Sequence, residues 1–318
     1  MSTIYAVLHV ILSIFIPSAN LLVIIVVCRL KKKRSSGNYV FILNLAAADL
    51  LVGVMCIGDA LDDATDALFD TNLVFCLIRI CMGITPCFGS ILTLLLVSLD
   101  KYLAVKLPLH YPSLMSKKRV ILSLVVLWVI SFLVGHLPLI FSGLRENKLK
   151  GNCGLLSAAK SDYLYIICFG VFIPALLTLV YLHISVGRIA YLQHKQIQRS
   201  CLHADIPSAH VCYFKALRTI IVIVCFIVFW GPYYGTAIVK ATCKSCNLSP
   251  LLRDFLFLLG ETNSLINPFV YSLYHKDIRT EFAKLMKCKR KGQIKPCKSI
   301  DLARCGEIKT TDELCKLV

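Results

Sequence analysis

Long apolar blocks constrain this chain more than any other feature. Seven of them run near 4–28, 38–59, 76–100, 120–141, 163–187, 216–239 and 251–274, with the charges gathered between. A bilayer core about 30 Å thick asks for about 20 apolar residues per helical span. Inside lipid every backbone polar group must be bonded within the chain, so blocks of this length are helices. The expectation is an all-α, seven-transmembrane helix bundle. Buried core helices of a water-soluble protein seldom run so long without charge. Composition agrees: 57% of residues are hydrophobic and 17% charged, against about 25% charged in soluble domains.

The formal net charge of +17 would suit a nucleic-acid partner, but its placement argues against one. Basic residues fill alternate connections: Arg29, Lys31, Lys32, Lys33 and Arg34 in the first, Lys101, Lys106, Lys117, Lys118 and Arg119 in the third, Arg188, Lys195, Arg199, Lys215 and Arg218 in the fifth, and many more from Lys276 onward. The second connection instead holds Asp59, Asp62, Asp63, Asp66 and Asp70. Basic loops stay cytoplasmic, which predicts an extracellular N-terminus and a cytoplasmic C-terminus in a multi-pass plasma-membrane protein. The first block lacks a basic leader and reads as a span rather than a signal peptide. Residues 1–286 form the seven-span domain with a short amphipathic membrane-surface helix, and 287–318 form a basic, Cys-rich cytoplasmic tail.

Two groups among the 16 cysteines face the oxidising side. A bridge from Cys76, at the start of span three, to Cys153 would tie the long loop before span five to that helix. Cys243 and Cys246 form a C-x-x-C, read as a small structural disulfide because no second ligand pair stands nearby; redox or metal chemistry is the alternative. Cys28, Cys56, Cys81, Cys87, Cys168 and Cys225 lie in spans and read as small buried apolar residues.

Ionisable and amide groups inside a span are costly and must satisfy one another or hold an ion. Asp49 stands mid-span two, Asn20 mid-span one, Ser90 mid-span three, and Asn263, Ser264 and Asn267 in span seven. Asn263 and Asn267 are four apart and share a helical face. One carboxylate among neutral oxygens suits sodium, with Asp49, Ser90, Asn263 and Asn267 as ligands; a purely structural hydrogen-bond network is the alternative. Pro174, Pro232 and Pro268 interrupt spans five, six and seven and supply pivots.

Asn20, Leu-Ala-Ala-Ala-Asp49, Cys76, Asp100-Lys101-Tyr102, Trp128, Pro174, Phe226…Trp230-Gly231-Pro232 and Asn267-Pro268-Phe-Val-Tyr271 fall in order along the spans. In this the chain resembles the rhodopsin-like (class A) G-protein-coupled receptors over nearly its whole length. Within that family it is most similar to receptors of fatty-acid amides and lysolipids, through Phe214-Lys-Ala-Leu-Arg-Thr219, Lys150-Gly-Asn-Cys153, Cys243-Lys-Ser-Cys246-Asn-Leu248 and Leu258-Leu-Gly260. Adenosine receptors come next. The resemblance implies a receptor, not an enzyme, that passes an extracellular small-molecule signal to a heterotrimeric G protein, with a stimulatory subtype and a rise in cyclic AMP expected. Arrestin and receptor kinases are implied as further partners. An adenosine-like receptor, an orphan receptor with constitutive signalling, and outside the class a transporter or channel, are the competing readings. Paired broken helices and internal repeats, which a transporter would want, are absent from the sequence. The scattered histidines show no catalytic ligand spacing.

The resemblance places a ligand pocket between spans three, five, six and seven, with Arg79, Gly83, Ile84, Cys87, Phe88, Ile166, Ile167, Trp230, Tyr233, Tyr234, Arg253, Phe257 and Glu261 as candidates. Gly83 stands where amine receptors carry an aspartate, which argues against an amine. The walls are mostly apolar, and Arg79 would receive a head group; snorkelling to the lipid headgroups is its other reading. Lipid-amide receptors carry a glutamate where Arg253 stands. Adenosine receptors carry an asparagine where Ala237 stands, and a glutamate and a histidine where His9 and Glu261 stand. The exchanged pair is expected to join span one to span seven.

Switch and coupling residues carried over from the family are Asp100, Lys101, Tyr102, Phe226, Trp230, Pro232, Asn267, Pro268 and Tyr271. Lys101 replaces the usual arginine with a compact charge lacking the planar fork of donors. Pro108 and Leu109 would present an apolar knob to the G protein. Phe282, Leu285, Lys284 and Lys287 read as the amphipathic helix on the inner leaflet, and Cys288 or Cys297 as palmitoylation sites.

Overall fold

A chain with apolar blocks of bilayer length must bond its backbone to itself, and it does so here in helices. The computed structural model describes residues 3–33, 38–64, 72–148, 153–200, 208–243, 246, 249–274 and 276–287. Seven long helices follow one another: α1 (Thr3–Lys33), α2 (Asn38–Ala64), α3 (Leu73–Lys106), α4 (Lys117–Ile140), α5, α6 (Ser208–Thr242) and α7 (Pro250–Tyr274). The fifth, α5, is continuous but changes pitch, from Ser161–Tyr165 through a π-helical stretch, Ile166–Phe172, to Ile173–Ser200. A short α8 (Lys276–Lys287) ends the described chain.

Most of the helices outrun the apolar blocks, because a helix continues past the hydrocarbon into its charged flanks. Six helices among the described residues are long and apolar enough to cross a membrane. In α7 the amides and acids are concentrated: Glu261, Asn263, Ser264 and Asn267 are all buried. Its polar face is turned into the bundle rather than to lipid, which dilutes its hydropathy without exposing charge.

Helix α1 packs along α2, α2 on α3, α3 on α4 and α5, α6 on α7, and α7 closes the ring on α1 and α2. Small residues permit the tightest approaches. A Cβ at Gly53 would fall 2.7 Å from the Pro17 ring, and one at Gly135 would meet Thr85 at 2.5 Å. Trp128 donates to Asn44 at 2.9 Å and Asn44 to Thr93 at 2.7 Å, joining α4, α2 and α3.

The lipid-facing sides carry the exposed apolar residues expected of a membrane bundle, such as Phe15, Leu122, Phe132 and Leu177. Cys56, Cys81, Cys87 and Cys168 are buried, but Cys28 is exposed on the lipid side of α1, because its neighbours Val26 and Val27 already fill the inward face. Helix α8 lays Ile278, Phe282 and Leu285 against Val23, Val26, Val27 and Tyr39 of α1 and α2. Tyr39 also donates to Asp277 at 3.1 Å, which fixes the turn out of α7. Cys288, Cys297 and the rest of the tail lie outside the described residues.

The connection between α4 and α5 folds back over one end of the bundle. Arg145 and Ala159 form an antiparallel bridge, Glu146 N–H donates to Ala158 at 2.8 Å, and a helical turn, Leu155–Ala158, sits between. A disulfide from Cys76 at the head of α3 to Cys153 holds this lid down, with Cα atoms 5.6 Å apart. A second disulfide closes Cys243 on Cys246 beyond α6. The opposite end carries the basic connections.

Candidate functional site

Beneath the disulfide-held lid the helices part around a cavity with roughly 1030 Å³ of empty space, its mouth included. Helix α3 supplies Arg79, Ile80, Gly83, Ile84 and Cys87, α5 supplies Ile167, α6 supplies Trp230, Tyr233 and Tyr234, and α7 supplies Arg253, Asp254, Phe257 and Glu261. His9 of α1 and Val52, Met55 and Asp59 of α2 complete the wall, and Gly154 to Ser157 form the roof.

Two residues expected in the wall do not line it. Phe88 is 0% exposed and packs in the bundle core, and Ile166 is 37% exposed on the outer side of α5. Successive helical residues point about 100° apart; at these two positions Cys87 and Ile167 face the cavity, while Phe88 turns into the core and Ile166 outward. The π-helical stretch carries this part of α5. It precedes Pro174, which has no backbone N–H to donate, and the Ile173 N–H just before it reaches back to the Cys168 carbonyl, one residue further than in an α-helix. The roof from Gly154 to Ser157, and Asp254, were not singled out in the sequence; the Cys153 disulfide, the Arg145–Ala159 bridge and the Arg79 bond to the Cys153 carbonyl together hold the loop over the cavity.

The charges in the cavity are arranged differently from the simplest reading. Asp59 was expected in the acidic connection, but α2 continues to Ala64 and places it in the wall, buried. Its Oδ1 lies 3.3 Å from Arg79 Nε. Arg79 Nη2 also donates to the Cys153 carbonyl at 3.1 Å. Arg79 is thus engaged in holding the lid, and is not the uncommitted cationic rim that sequence suggested. Arg253 differs: its Nε is buried and donates to no acceptor. His9 Nε2 of α1 and Glu261 Oε2 of α7 lie 3.3 Å apart, both buried, as the exchanged pair had suggested.

The cavity floor is aromatic. Trp230 stands 6.0 Å from Tyr234 and 6.4 Å from Phe257, ring centre to ring centre, and Phe172 stacks on Tyr234 at 3.9 Å and approaches Phe226 at 5.9 Å. Phe172 joins the floor without having been singled out in the sequence. Gly260 lets the indole in: a Cβ there would fall 2.6 Å from Trp230. Pro232 lies two residues further along α6, and Ala237 is fully buried.

Deeper in the bundle, Asp49 is enclosed. Ser90 donates to its Oδ1 and Asn267 to its Oδ2, both at 2.8 Å. Ser264 lies within hydrogen-bonding reach of the same carboxylate. Asn20 donates to the backbone carbonyls of Ser264 and Ile16 at 3.0 Å each, while its own buried Oδ1 accepts nothing. Asn263 is buried on the same helix. This set of oxygens, with one left over, fits a small monovalent cation such as sodium.

At the basic end Asp100 is buried and accepts a 2.8 Å hydrogen bond from Tyr111 in the following turn, with Lys101 electrostatically close. Burial first, and then this bond, push the Tyr111 phenol up. The Lys106 ammonium lies 5.3 Å from the centre of the Tyr102 ring. Pro108 is exposed and Leu109 is 91% exposed, an apolar knob presented to the basic end. Pro268 stands inside α7 directly after Asn267 and removes one backbone donor from the helix there. The Tyr271 side chain lies outside the described ones.

Comparison with known proteins agrees with this architecture. The family model described as 7 transmembrane receptor (rhodopsin family) matches residues 19–271. The glucose-dependent insulinotropic receptor of Homo sapiens is 32% identical, the match covering 87% of this chain and 84% of that one. The receptor of the same name in Rattus norvegicus is 31% identical, over 87% of this chain and 60% of its own length. The histamine H2 receptor of Rattus norvegicus is 29% identical, over 86% of this chain and 76% of that one.

Proposed function

Since the chain belongs to the rhodopsin family of seven-transmembrane receptors, and is therefore a multi-pass membrane receptor and not an enzyme, we propose that it reads an amphiphilic lipid, a fatty-acid amide or lysolipid, and signals through a stimulatory G protein. In this reading the disulfide end faces outward and the basic end meets the G protein in the cytoplasm, which the distribution of lysine and arginine supports. The observation that carries the reading is the division of labour among the cavity's charges. Arg79 is engaged by Asp59 and the lid, and His9 stands against Glu261, so apart from Arg253 and Asp254 the rest of the wall is mostly apolar and aromatic, with Ile80, Ile84, Ile167, Tyr233 and Phe257. Arg253 Nε is the buried donor awaiting an acceptor. An acyl chain would lie along the apolar wall, and its carbonyl or phosphate oxygen would accept from Arg253. An ammonium ligand has no carboxylate at Gly83 to meet it.

Trp230 and Phe257 then couple the occupied cavity to the α6 and α7 kinks. At the other end Lys101, Pro108 and Leu109 would engage the G protein.

The test is cyclic AMP in cells expressing the chain at the surface, with and without oleoylethanolamide or lysophosphatidylcholine. A rise is expected that the Asn267→Ala variant abolishes. Arg253→Gln should lower potency roughly 10- to 100-fold, the scale of a lost charged hydrogen bond. A response to adenosine instead, or potency unmoved by Arg253→Gln, would overturn the lipid reading while leaving the family intact.

A further inference from the structure

His9 of α1, Asp59 of α2 and Glu261 of α7 present one ligand atom each, and the three atoms lie within 4.8 Å of one another. All three side chains are buried and all three line the cavity under the lid. We propose that His9, Asp59 and Glu261 form a binding site for a zinc-type divalent cation that staples α1, α2 and α7 together in the cavity wall.

Donor chemistry selects the metal class. One imidazole nitrogen and two carboxylate oxygens suit zinc and its first-row neighbours, whereas calcium takes six to eight oxygens and magnesium keeps most of its water. The two carboxylates and a neutral imidazole also balance a double positive charge. Distances fit as well. Zinc bonds of about 2.0–2.1 Å place neighbouring ligand atoms of a tetrahedron about 3.4 Å apart, and His9 Nε2 and Glu261 Oε2 stand at 3.3 Å. Asp59 lies within 4.8 Å of both and joins them by a side-chain rotation that exchanges its contact with Arg79 for the metal.

Independent of the clustering, Glu261 carries a sign of its own. Its Oε2 is buried, belongs to a side chain only 2–3% exposed, and accepts no hydrogen bond even with the imidazole 3.3 Å away. A buried carboxylate oxygen without a donor is expensive, and a cation relieves it.

Three protein ligands leave a fourth position, which faces the cavity that all three residues line. The metal would there accept water or an oxygen of a bound small molecule. Because α1 and α7 meet through this cluster, occupancy would favour the receptor state in which those helices are closest.

The site is tested on the purified full chain in lipid nanodiscs, with zinc or cobalt(II) alone and no organic ligand, so that failure of the lipid reading does not touch it. Equilibrium dialysis should show a zinc ion lost in Glu261→Gln and in Asp59→Asn. The affinity should fall at least as far as when an outer-shell partner of a metal ligand is lost, roughly 10- to 100-fold. X-ray absorption at the zinc edge of the unaltered chain should show nitrogen and oxygen neighbours, and it reads the site even where a variant fails to fold. Zinc surrounded by sulfur, as the cysteines of the tail would provide, overturns the proposal. So does equal retention by the unaltered chain and by Glu261→Gln, or no retention by either.

Discussion

The Tyr111 phenol donates a 2.8 Å hydrogen bond to the buried carboxylate of Asp100. The bond ties the turn after α3 to the helix's last buried acid, and so sets the position of the exposed Leu109 between them. Tyr111→Phe removes the donor and keeps the ring. A hydrogen bond to a charged group contributes about 1.5–3 kcal/mol, so the variant should unfold more easily and signal less per receptor at the surface. Burial raises the phenol's pKa in the folded state. A raised acid contributes stability in full below its unfolded value of about 10 and loses it only as pH climbs through the folded value. The stability gap between the two proteins, measured by thermal unfolding, should therefore stay constant from about pH 6 to 9.

Gly260 predicts a packing effect on the floor of the cavity. A methyl group there would sit 2.6 Å from the Trp230 indole, and overpacking of this kind costs typically 1–3 kcal/mol. Gly260→Ala should lower the melting temperature of purified receptor and shift ligand-independent cyclic AMP, since the indole must move. Gly83→Ala is the contrast. Beyond its own helix backbone and chain neighbours, no atom lies within 4 Å of its Cβ position, so it should fold normally and change only ligand potency. Equal melting temperatures for the two variants would contradict the crowding at Gly260.

The two disulfides should differ in consequence. Cys76–Cys153 bridges 77 residues and holds the cavity roof, whereas Cys243–Cys246 closes a loop of separation 3. Disulfides contribute typically 2–4 kcal/mol, more for longer loops. Replacing both cysteines of the first pair by serine should sharply reduce surface expression and ligand response. The same change in the second pair should leave most of both. Radioligand or fluorescent-ligand binding on intact cells separates lid loss from poor folding.

Asp49 predicts a dependence on sodium. With Ser90 and Asn267 on its two oxygens and an unbonded Asn20 oxygen nearby, sodium should raise the melting temperature of the purified chain relative to a large organic cation. Asp49→Asn should abolish that increment while leaving the hydrogen bond to Ser90 possible. A sodium effect that survives in Asp49→Asn would place the ion elsewhere.

Much of this molecule can be read along the chain. The span number, the all-α class, the polar groups of α2 and α7 and both disulfides follow from block length, the cost of buried charge, cysteine placement and ordered motifs, and the His9–Glu261 contact from the resemblance to adenosine receptors, in which the two residue types are exchanged. The details that escaped share one cause. Whether Ile166 or Ile167 faces the cavity depends on a helical register that a π-helical stretch alters within a few residues. Whether Asp59 belongs to a loop or a wall depends on where α2 stops, and charge alone does not stop a helix. The packing of Ile278 on α1 and α2, more than that of Phe282, anchors α8. It sits among charges that local hydropathy cannot separate from the tail.

By itself the sequence determined that this chain lives in a bilayer as a seven-helix bundle. Backbone polar groups have no partner in lipid but their own helix, so apolar blocks of bilayer length become helices, and block length together with the ordered motifs, including those of the polar seventh block, counts the spans. Tertiary structure alone decided what the charges do. Arg79 is drawn to Asp59, leaving Arg253 with an unmet donor, and Asp59 is brought beside His9 and Glu261. Those partners are dozens to hundreds of residues apart. Their meeting depends on how α1, α2, α3 and α7 are rotated about their axes, a quantity set by close packing at contacts such as Gly53 on Pro17 and Gly260 on Trp230, and by no local property of the chain.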